Sequence, residues 1–385
     1  MRQILEGSNA IAQTIKNIRP AVVSAYPITP QTHIVEDLAQ FKADGQADYE
    51  YVRAESEFAA ASIVAGASAA GVRVYSATSS QGLLLMAEVI YNIAGLRLPV
   101  IMTCANRAVS APINIWNDAQ DVMAIRDAGW ILLFAENHQE AVDQHIMAFK
   151  IAEQLKLPVM VNVDGFVMTH TYEPVTIPTA EQIKKYLPDY KPEPGQYLDP
   201  ANPVTLGPLA TPAHYLEIRQ ELHEDLTASL KDIDKEYKKY NSLIGNLNKK
   251  NDNGLLEYVG SDKPETILVA MGSAIGTIKA ALSPLTRGDG GVGVLKIKCF
   301  RPFPAEAILK IIKPAKNIAV IDKAITLGQI GPLASDLKAA AQGKISANIG
   351  SFIMGLGGRD ITTEMIKKIL KLAGKKSNEA QFIGK

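Results

Sequence analysis

Residues 24–38, SAYPITPQTHIVEDL, join a strand-like run to a helix-like run and set two prolines around one threonine. The run AVVSAY, 21–26, has no polar alternation, as a strand covered on both faces requires. From Gln31 onward the apolar residues recur at helical spacing. That reading puts Thr29 at or near the helix N-cap and Pro30 at the first helical position, which needs no amide hydrogen. A threonine there ordinarily only caps. The same geometry also offers unpaired amide hydrogens, the positive end of a helix and a hydroxyl, a natural receptor for a carboxylate or phosphate.

The strand-to-helix pattern repeats. RVYSAT (73–78), PVIMTC (99–104), WILLFA (130–135) and PVMVNV (158–163) are short apolar runs separated by helical patterns such as 81–94 and 138–155. The fold class expected is α/β, a doubly wound parallel sheet followed by a smaller α/β domain. The boundaries expected are 1–185 for the first domain, 186–255 for a proline-rich segment and charged helical arm, and 256–385 for the second domain. The arm reads as a helix over about 213–248, and strand-like runs return at 266–271, 292–298, 317–321 and 346–353.

Composition removes several classes of function. Lysine plus arginine number 40 and aspartate plus glutamate 40, so the basic footprint of a nucleic-acid binder is absent. No apolar span of 18 residues occurs, which predicts a protein outside the membrane and, by expectation, in the cytoplasm. The cysteines are only Cys104 and Cys299, too few for a zinc knuckle or an iron–sulfur cluster within this chain. They read as small buried hydrophobes, and His138, His145, His170, His214 and His223 form no metal spacing; His33, close to Thr29 in sequence, is left as a capping or packing residue. No metal site is expected.

In open parallel sheets, ligands sit at the carboxyl ends of strands, so those loops are read for chemistry. The stretch ESEFAAASIVAGASAAG, 55–71, opens a helix of small residues with Glu55 and Glu57. A glutamate at a helix start is ordinarily a dipole partner, but a carboxyl beside so flat a wall is desolvated and can share a proton with a ring nitrogen. In NRAVSAPINIWND, 106–118, Arg107 is the lone cation of a long uncharged stretch. It either closes a structural ion pair with Asp118 or Asp121, or grips a carboxylate. Ser80 and Gln81 stand at a further strand-to-helix turn.

Taken in order along the chain, AYPITP (25–30), ESEFAAASIVAGASAAG, SQGLLLM (80–86), NRAVSAPINIWND, MGS (271–273) and RPFP (301–304) resemble the alpha subunit of the multi-subunit 2-oxoacid:ferredoxin oxidoreductases, of the pyruvate:ferredoxin oxidoreductase (pyruvate synthase) type. The resemblance implies a thiamine diphosphate enzyme whose first domain holds the aminopyrimidine side of the cofactor and whose second is transketolase C-terminal-like. It implies that Glu57 bonds the ring nitrogen opposite the amino group and favours the tautomer that generates the ylid, leaving Glu55 as a decoy. It also implies cofactor contacts at Ile28, Thr29, Ser80 and Gln81, and a grip on the substrate carboxylate by Thr29 and Arg107.

The same resemblance assigns Mg²⁺ and [4Fe-4S] clusters to beta, gamma and delta partner subunits of a heterotetramer, where coenzyme A and ferredoxin would also dock. The triplet Gly288-Asp289-Gly290, with Asn317 downstream, imitates a diphosphate–Mg²⁺ motif. It precedes a strand rather than a helix and is rejected on that context. Relatives commonly have histidine where Ala119 stands. Pyruvate is the expected acid and 2-oxoisovalerate the runner-up; an oxalate enzyme would be expected to place a cation at the position of Thr29. The contrasting possibility is a carboxylate-binding scaffold subunit without catalysis.

Overall fold

The structure, a computed structural model, describes residues 2–245, 251–282 and 291–384. The first-domain strands in chain order are β1 (Arg2–Glu6), β2 (Val22–Ala25), β3 (Glu50–Arg53), β4 (Val74–Thr78), β5 (Ile101–Asn106), β6 (Ile131–Phe134), β7 (Val159–Asp164) and β8 (Tyr172–Thr176). Those that follow are β9 (Leu256–Gly260), β10 (Thr266–Ala270), β11 (Val292–Ile297), β12 (Cys299–Arg301), β13 (Asn317–Asp322), β14 (Asn348–Ile353) and β15 (Ala380–Phe382).

The larger sheet runs β12-β6-β7-β5-β4-β2-β3, parallel except for β12, which pairs antiparallel with β6 at the edge. Strands β4, β5 and β7 are buried along their whole length. Helices Gly7–Ile18, Thr32–Ala43 and His138–Leu155 pack together as one group and Glu57–Ala69, Ser80–Leu85 and Ala87–Gly95 as another. Two helix groups over wholly buried strands are what unalternating apolar runs require. The second sheet runs β15-β14-β13-β10-β11-β9, with only β9 antiparallel.

Several expectations are refined. The helical pattern over 81–94 is two helices that meet at Met86. Strand β12 lies in the segment assigned to the closing domain yet completes the first sheet. The charged arm is the helix Tyr215–Leu243; its expected end at 246–248 and the rejected triplet at 288–290 fall outside the described residues. Thr29 is not the N-cap. Thr29, Pro30 and Gln31 form a turn in which the Gln31 amide donates to Ile28 O at 2.8 Å, and the helix begins at Thr32. The buried Gln31 side chain ties the loop down instead, accepting from Ile28 N and donating to Ala77 O at the end of β4.

A buried ionic network joins the two sheets. Lys296 Nζ lies 2.6 Å from Glu140, 2.7 Å from Glu136 and 3.3 Å from Glu257, and Lys298 Nζ lies 3.1 Å from Glu140 and 2.9 Å from Asp252. Burial acts to raise the Glu140 pKa, but Lys296 and Lys298 outweigh it and hold the carboxyl well below its ordinary range. Each side chain here is affordable in the interior only because the others neutralise it.

Asp143, on the same helix, forms no ion pair among the described residues, and the pull of Lys298 is outweighed by its burial. It accepts from Tyr240 Oη on the arm helix at 2.5 Å, and burial pushes its pKa up to about 7. A carboxyl with a raised folded-state pKa adds stability below its unfolded value, and loses that stability as pH rises through the folded value. The excess thermal stability of the protein over Asp143→Asn is therefore expected to shrink from pH 4 to pH 7. Thermal unfolding midpoints of both proteins across that range check it; a constant difference would contradict the assignment.

Candidate functional site

Parallel order brings the carboxyl ends of β2, β3, β4 and β5 to one edge, and the predicted residues leave the sheet there. Ser56 caps the helix Glu57–Ala69, its Oγ accepting from Ala59 N at 3.2 Å, which places Glu57 at the first helical position. Glu57 is 7% exposed, and among the described residues its carboxylate has no hydrogen-bond or ion-pair partner. Glu55, two residues earlier, is exposed.

The space beside Glu57 depends on a missing side chain. A Cβ at Gly82 would lie 2.6 Å from Thr78 Oγ1 and 2.7 Å from Glu57 Oε1. Thr78 Oγ1 is itself buried and unpartnered, as are Ser76 Oγ and Ser79 Oγ on the same segment. An orphaned carboxylate and hydroxyl meeting over a glycine are suited to the polar edge of a flat heterocycle. This chemistry fits the ring-nitrogen contact expected of an aminopyrimidine.

Ser80 follows, buried, with φ of 48°, a left-handed conformation that a side chain rarely adopts. Its Oγ donates to Ala108 O at 2.6 Å and also reaches the Gln81 amide oxygen. The expected Ser80 and Gln81 are therefore adjoined to the loop that bears Arg107.

Arg107 is 7% exposed and forms no ion pair among the described residues. Its Nε donates to Asn114 O and its Nη1 to Thr29 O, each at 2.9 Å. Nη2 has no partner among the described residues. The structural ion pair considered for Arg107 is thus not formed: Asp121 accepts its backbone amide, and Asp118 turns to the second domain. Thr29 is exposed and is joined to Arg107 by this carbonyl contact, while Pro30 packs so close to Gly165 that a Cβ there would lie 2.6 Å from Pro30 Cγ. Ile28 is half-buried in the same turn.

The second domain, for which the sequence offered no site residue, grips this loop. Gly357 N donates to Asp118 Oδ2 at 3.0 Å, Asn114 Nδ2 to Gly357 O at 3.1 Å, and Gly358 N to Asn117 O at 2.7 Å. Gly357 and Gly358 have φ of 60° and 80°, and a Cβ at Gly358 would strike Trp116. Burial pushes the Asp118 pKa up to about 6, against the pull of its two backbone donors. Nearby, Lys323 Nζ and Ser273 N meet Asp164, at the end of β7, at 2.7 and 2.8 Å.

The remaining candidates resolve simply. Cys104 and Cys299 are free and buried, and burial raises both thiol pKa values. His33 Nδ1 sits 2.7 Å from Glu6 Oε1, and its ring lies 4.5 Å from that of His170. Ligand atoms of these three residues lie within 4.8 Å of one another, a grouping that no linear spacing announces. Ala119 donates its amide to Lys323 O.

Fold and site define a class: a two-sheet α/β chain that brings a buried glutamate and a buried arginine to one edge of a parallel sheet. Residues 13–239 match the family described as pyruvate flavodoxin/ferredoxin oxidoreductase, thiamine diphosphate-binding, and residues 264–366 match pyruvate:ferredoxin oxidoreductase core domain II. The chain is 44% identical to pyruvate synthase subunit PorA of Methanocaldococcus jannaschii, over 98% of this chain and 96% of that protein. It is 40% identical to ketoisovalerate oxidoreductase subunit VorA of Pyrococcus abyssi, over 96% of this chain and 92% of that one. A solved 2-oxoglutarate:ferredoxin oxidoreductase from Magnetococcus marinus shares the fold, with a TM-score of 0.73 and 21% identity, covering 97% of this chain; this chain spans 65% of that one. The protein belongs to the pyruvate:ferredoxin oxidoreductase family, as an alpha-type subunit of a thiamine-diphosphate-dependent 2-oxoacid:ferredoxin oxidoreductase.

Gly82→Ala would drive a methyl group into Thr78 Oγ1 and Glu57 Oε1. Displacing the carboxylate by about an ångström is expected to lower turnover about a hundredfold. Assays of the assembled complex carrying this variant check it, and wild-type turnover would refute the close approach.

Proposed function

We propose that this chain forms the cofactor- and substrate-gripping half of an active site that converts pyruvate, coenzyme A and oxidised ferredoxin to acetyl-coenzyme A, carbon dioxide and reduced ferredoxin, reversibly. The observation that carries the reading is the pairing of two buried, unsatisfied charges on one edge: Glu57 without a donor and Arg107 with an open Nη2. Bound thiamine diphosphate supplies a carbanion for attack on the keto carbon and a sink for the electrons released on decarboxylation.

Glu57 holds a proton on the aminopyrimidine ring nitrogen, within reach of the Thr78 hydroxyl. Arg107 and the Thr29 hydroxyl orient the carboxylate of the 2-oxo acid, and the Ile28 and Ser80–Gln81 segments enclose the cofactor. The Thr29 carbonyl already engages Arg107 Nη1, so the turn and the guanidinium move as one unit. Pyruvate is favoured over 2-oxoisovalerate by the higher identity to the pyruvate synthase subunit than to the ketoisovalerate one, 44% against 40%.

Tyr26, Phe58, Leu85, Ile113, Trp116 and Val167 are exposed large apolar residues in the segments that follow β2, β3, β4, β5 and β7, with Ile113 80% and Trp116 53% exposed. Exposed apolar side chains in those segments suit a subunit that closes the site and brings the diphosphate–Mg²⁺ half. Beta, gamma and delta partners carrying [4Fe-4S] clusters, in a cytoplasmic heterotetramer, complete the proposal. No described helix is long and apolar enough to cross a membrane. The three-part division at residues 185 and 255 is proposed as the domain organisation, with β12 of the third part lent to the sheet of the first.

Two variants of the assembled complex test the reading. Glu57→Gln is expected to lower turnover about a hundredfold or more while bound thiamine diphosphate is retained, as loss of a proton-holding group does. A non-catalytic scaffold would show unchanged turnover. Arg107→Ala is expected to raise KM for pyruvate about tenfold or more, since a charge-assisted contact is lost. Relative kcat/KM for pyruvate and 2-oxoisovalerate decides between the two acids.

A further inference from the structure

Asp121 is fully buried and forms no ion pair among the described residues. A carboxylate in that position must be satisfied by hydrogen bonds alone. Its Oδ2 accepts from Ser80 N and from Arg107 N, each at 3.0 Å, and lies 3.5 Å from Cys104 Sγ. Its Oδ1 accepts from Asn106 Nδ2 at 3.0 Å and from Val122 N at 2.7 Å. One oxygen therefore holds the backbone of two residues that are 27 apart in sequence and lie on different loops of the site.

Neither residue is held casually. Ser80 adopts φ of 48°, which a serine keeps only where its surroundings enforce it, and the Asp121 contact is on its amide. The next residue but one is Gly82, whose bare Cα leaves room for Glu57. The Arg107 amide is fixed by the same oxygen, and its side chain then runs between Asn114 O and Thr29 O. Asn106 is held against Asn162 on β7 as well, so the carboxylate is braced from the sheet.

We infer that Asp121 is a positioning residue: one buried carboxylate sets the Arg107 backbone and the left-handed Ser80 turn together, so that the substrate grip and the cofactor-side loop are held in a common register. The inference rests on the substrate role proposed above for Arg107. A merely structural Asp121 would support the fold without any special dependence on that side chain.

Steady-state kinetics of the assembled complex, with bound thiamine diphosphate measured for each variant, separates the two roles. Asp121→Asn places an amide donor where backbone donors already point, and is expected to raise KM for pyruvate about tenfold with a smaller change in kcat. In an Arg107→Ala background the same change is expected to add less than about twofold, because residues acting through one another are not additive. A full multiplicative effect in that background, or a wild-type KM in the single variant, overturns the inference while leaving the proposed function standing. A wild-type KM for Arg107→Ala alone instead overturns the substrate reading, and the inference falls with it. If Asp121→Asn does not assemble, Asn106→Ala removes the side-chain donor to Oδ1, leaving only Val122 N there, and is expected to raise KM about threefold, an increase that disappears without Arg107; an unchanged KM there also overturns the inference.

Discussion

The site exists because neighbouring strands of the first sheet are parallel and end at the same level. Thr78 of β4 lies opposite Cys104 of β5, and Asn106 of β5 lies opposite Asp164 of β7. Every loop that follows them must therefore emerge at one edge, however far apart its residues are in the chain. The Thr29 turn, the Ser80 turn and the Arg107 loop meet there through backbone groups: Arg107 Nη1 on Thr29 O, Ser80 Oγ on Ala108 O, and the Ser80 and Arg107 amides on Asp121.

Buried charge is handled in two opposite ways. Between the sheets, Lys296 and Lys298 are surrounded by Glu136, Glu140, Glu257 and Asp252, and the charges cancel locally. At the strand ends, Glu57 and Arg107 are also buried, but among the described residues neither side chain forms an ion pair; the carboxylate nearest Arg107, Asp121, is spent on its backbone amide. Leaving an ion buried and uncompensated costs several kcal/mol, so such groups persist where something else completes them. The contrast separates the network that fastens the molecule from the edge proposed to meet cofactor and substrate.

The second domain enters the site through glycines. Gly357 and Gly358 take left-handed backbone conformations and come against Asn114 and Trp116, closer than any side chain would allow. Through Asp118 and Asn117 they hold the loop that begins at Arg107. The segment 353–360 attracted no functional reading in the sequence, because its role is to approach a partner that lies more than 200 residues away.

Periodicity alone was enough to place the strands around Val22, Val74, Ile101, Ile131 and Val159, and the helix His138–Leu155. Apolar runs of that length have few alternatives to a covered parallel sheet. The choice of Glu57 over Glu55 came from the family resemblance; in the fold Glu57 is buried and Glu55 exposed. What needed the tertiary structure was partnership. Asp121 read as an ion-pair partner for Arg107 but bonds amides from two loops; Thr29 read as a helix cap but stands in a turn held by Gln31; Glu6, His33 and His170 meet from three separate segments; and β12 completes a sheet that its position in the chain assigns elsewhere. Local spacing governs which face of an element is apolar, whereas a buried hydrogen bond is chosen only when distant strands close and leave each polar atom its few remaining neighbours.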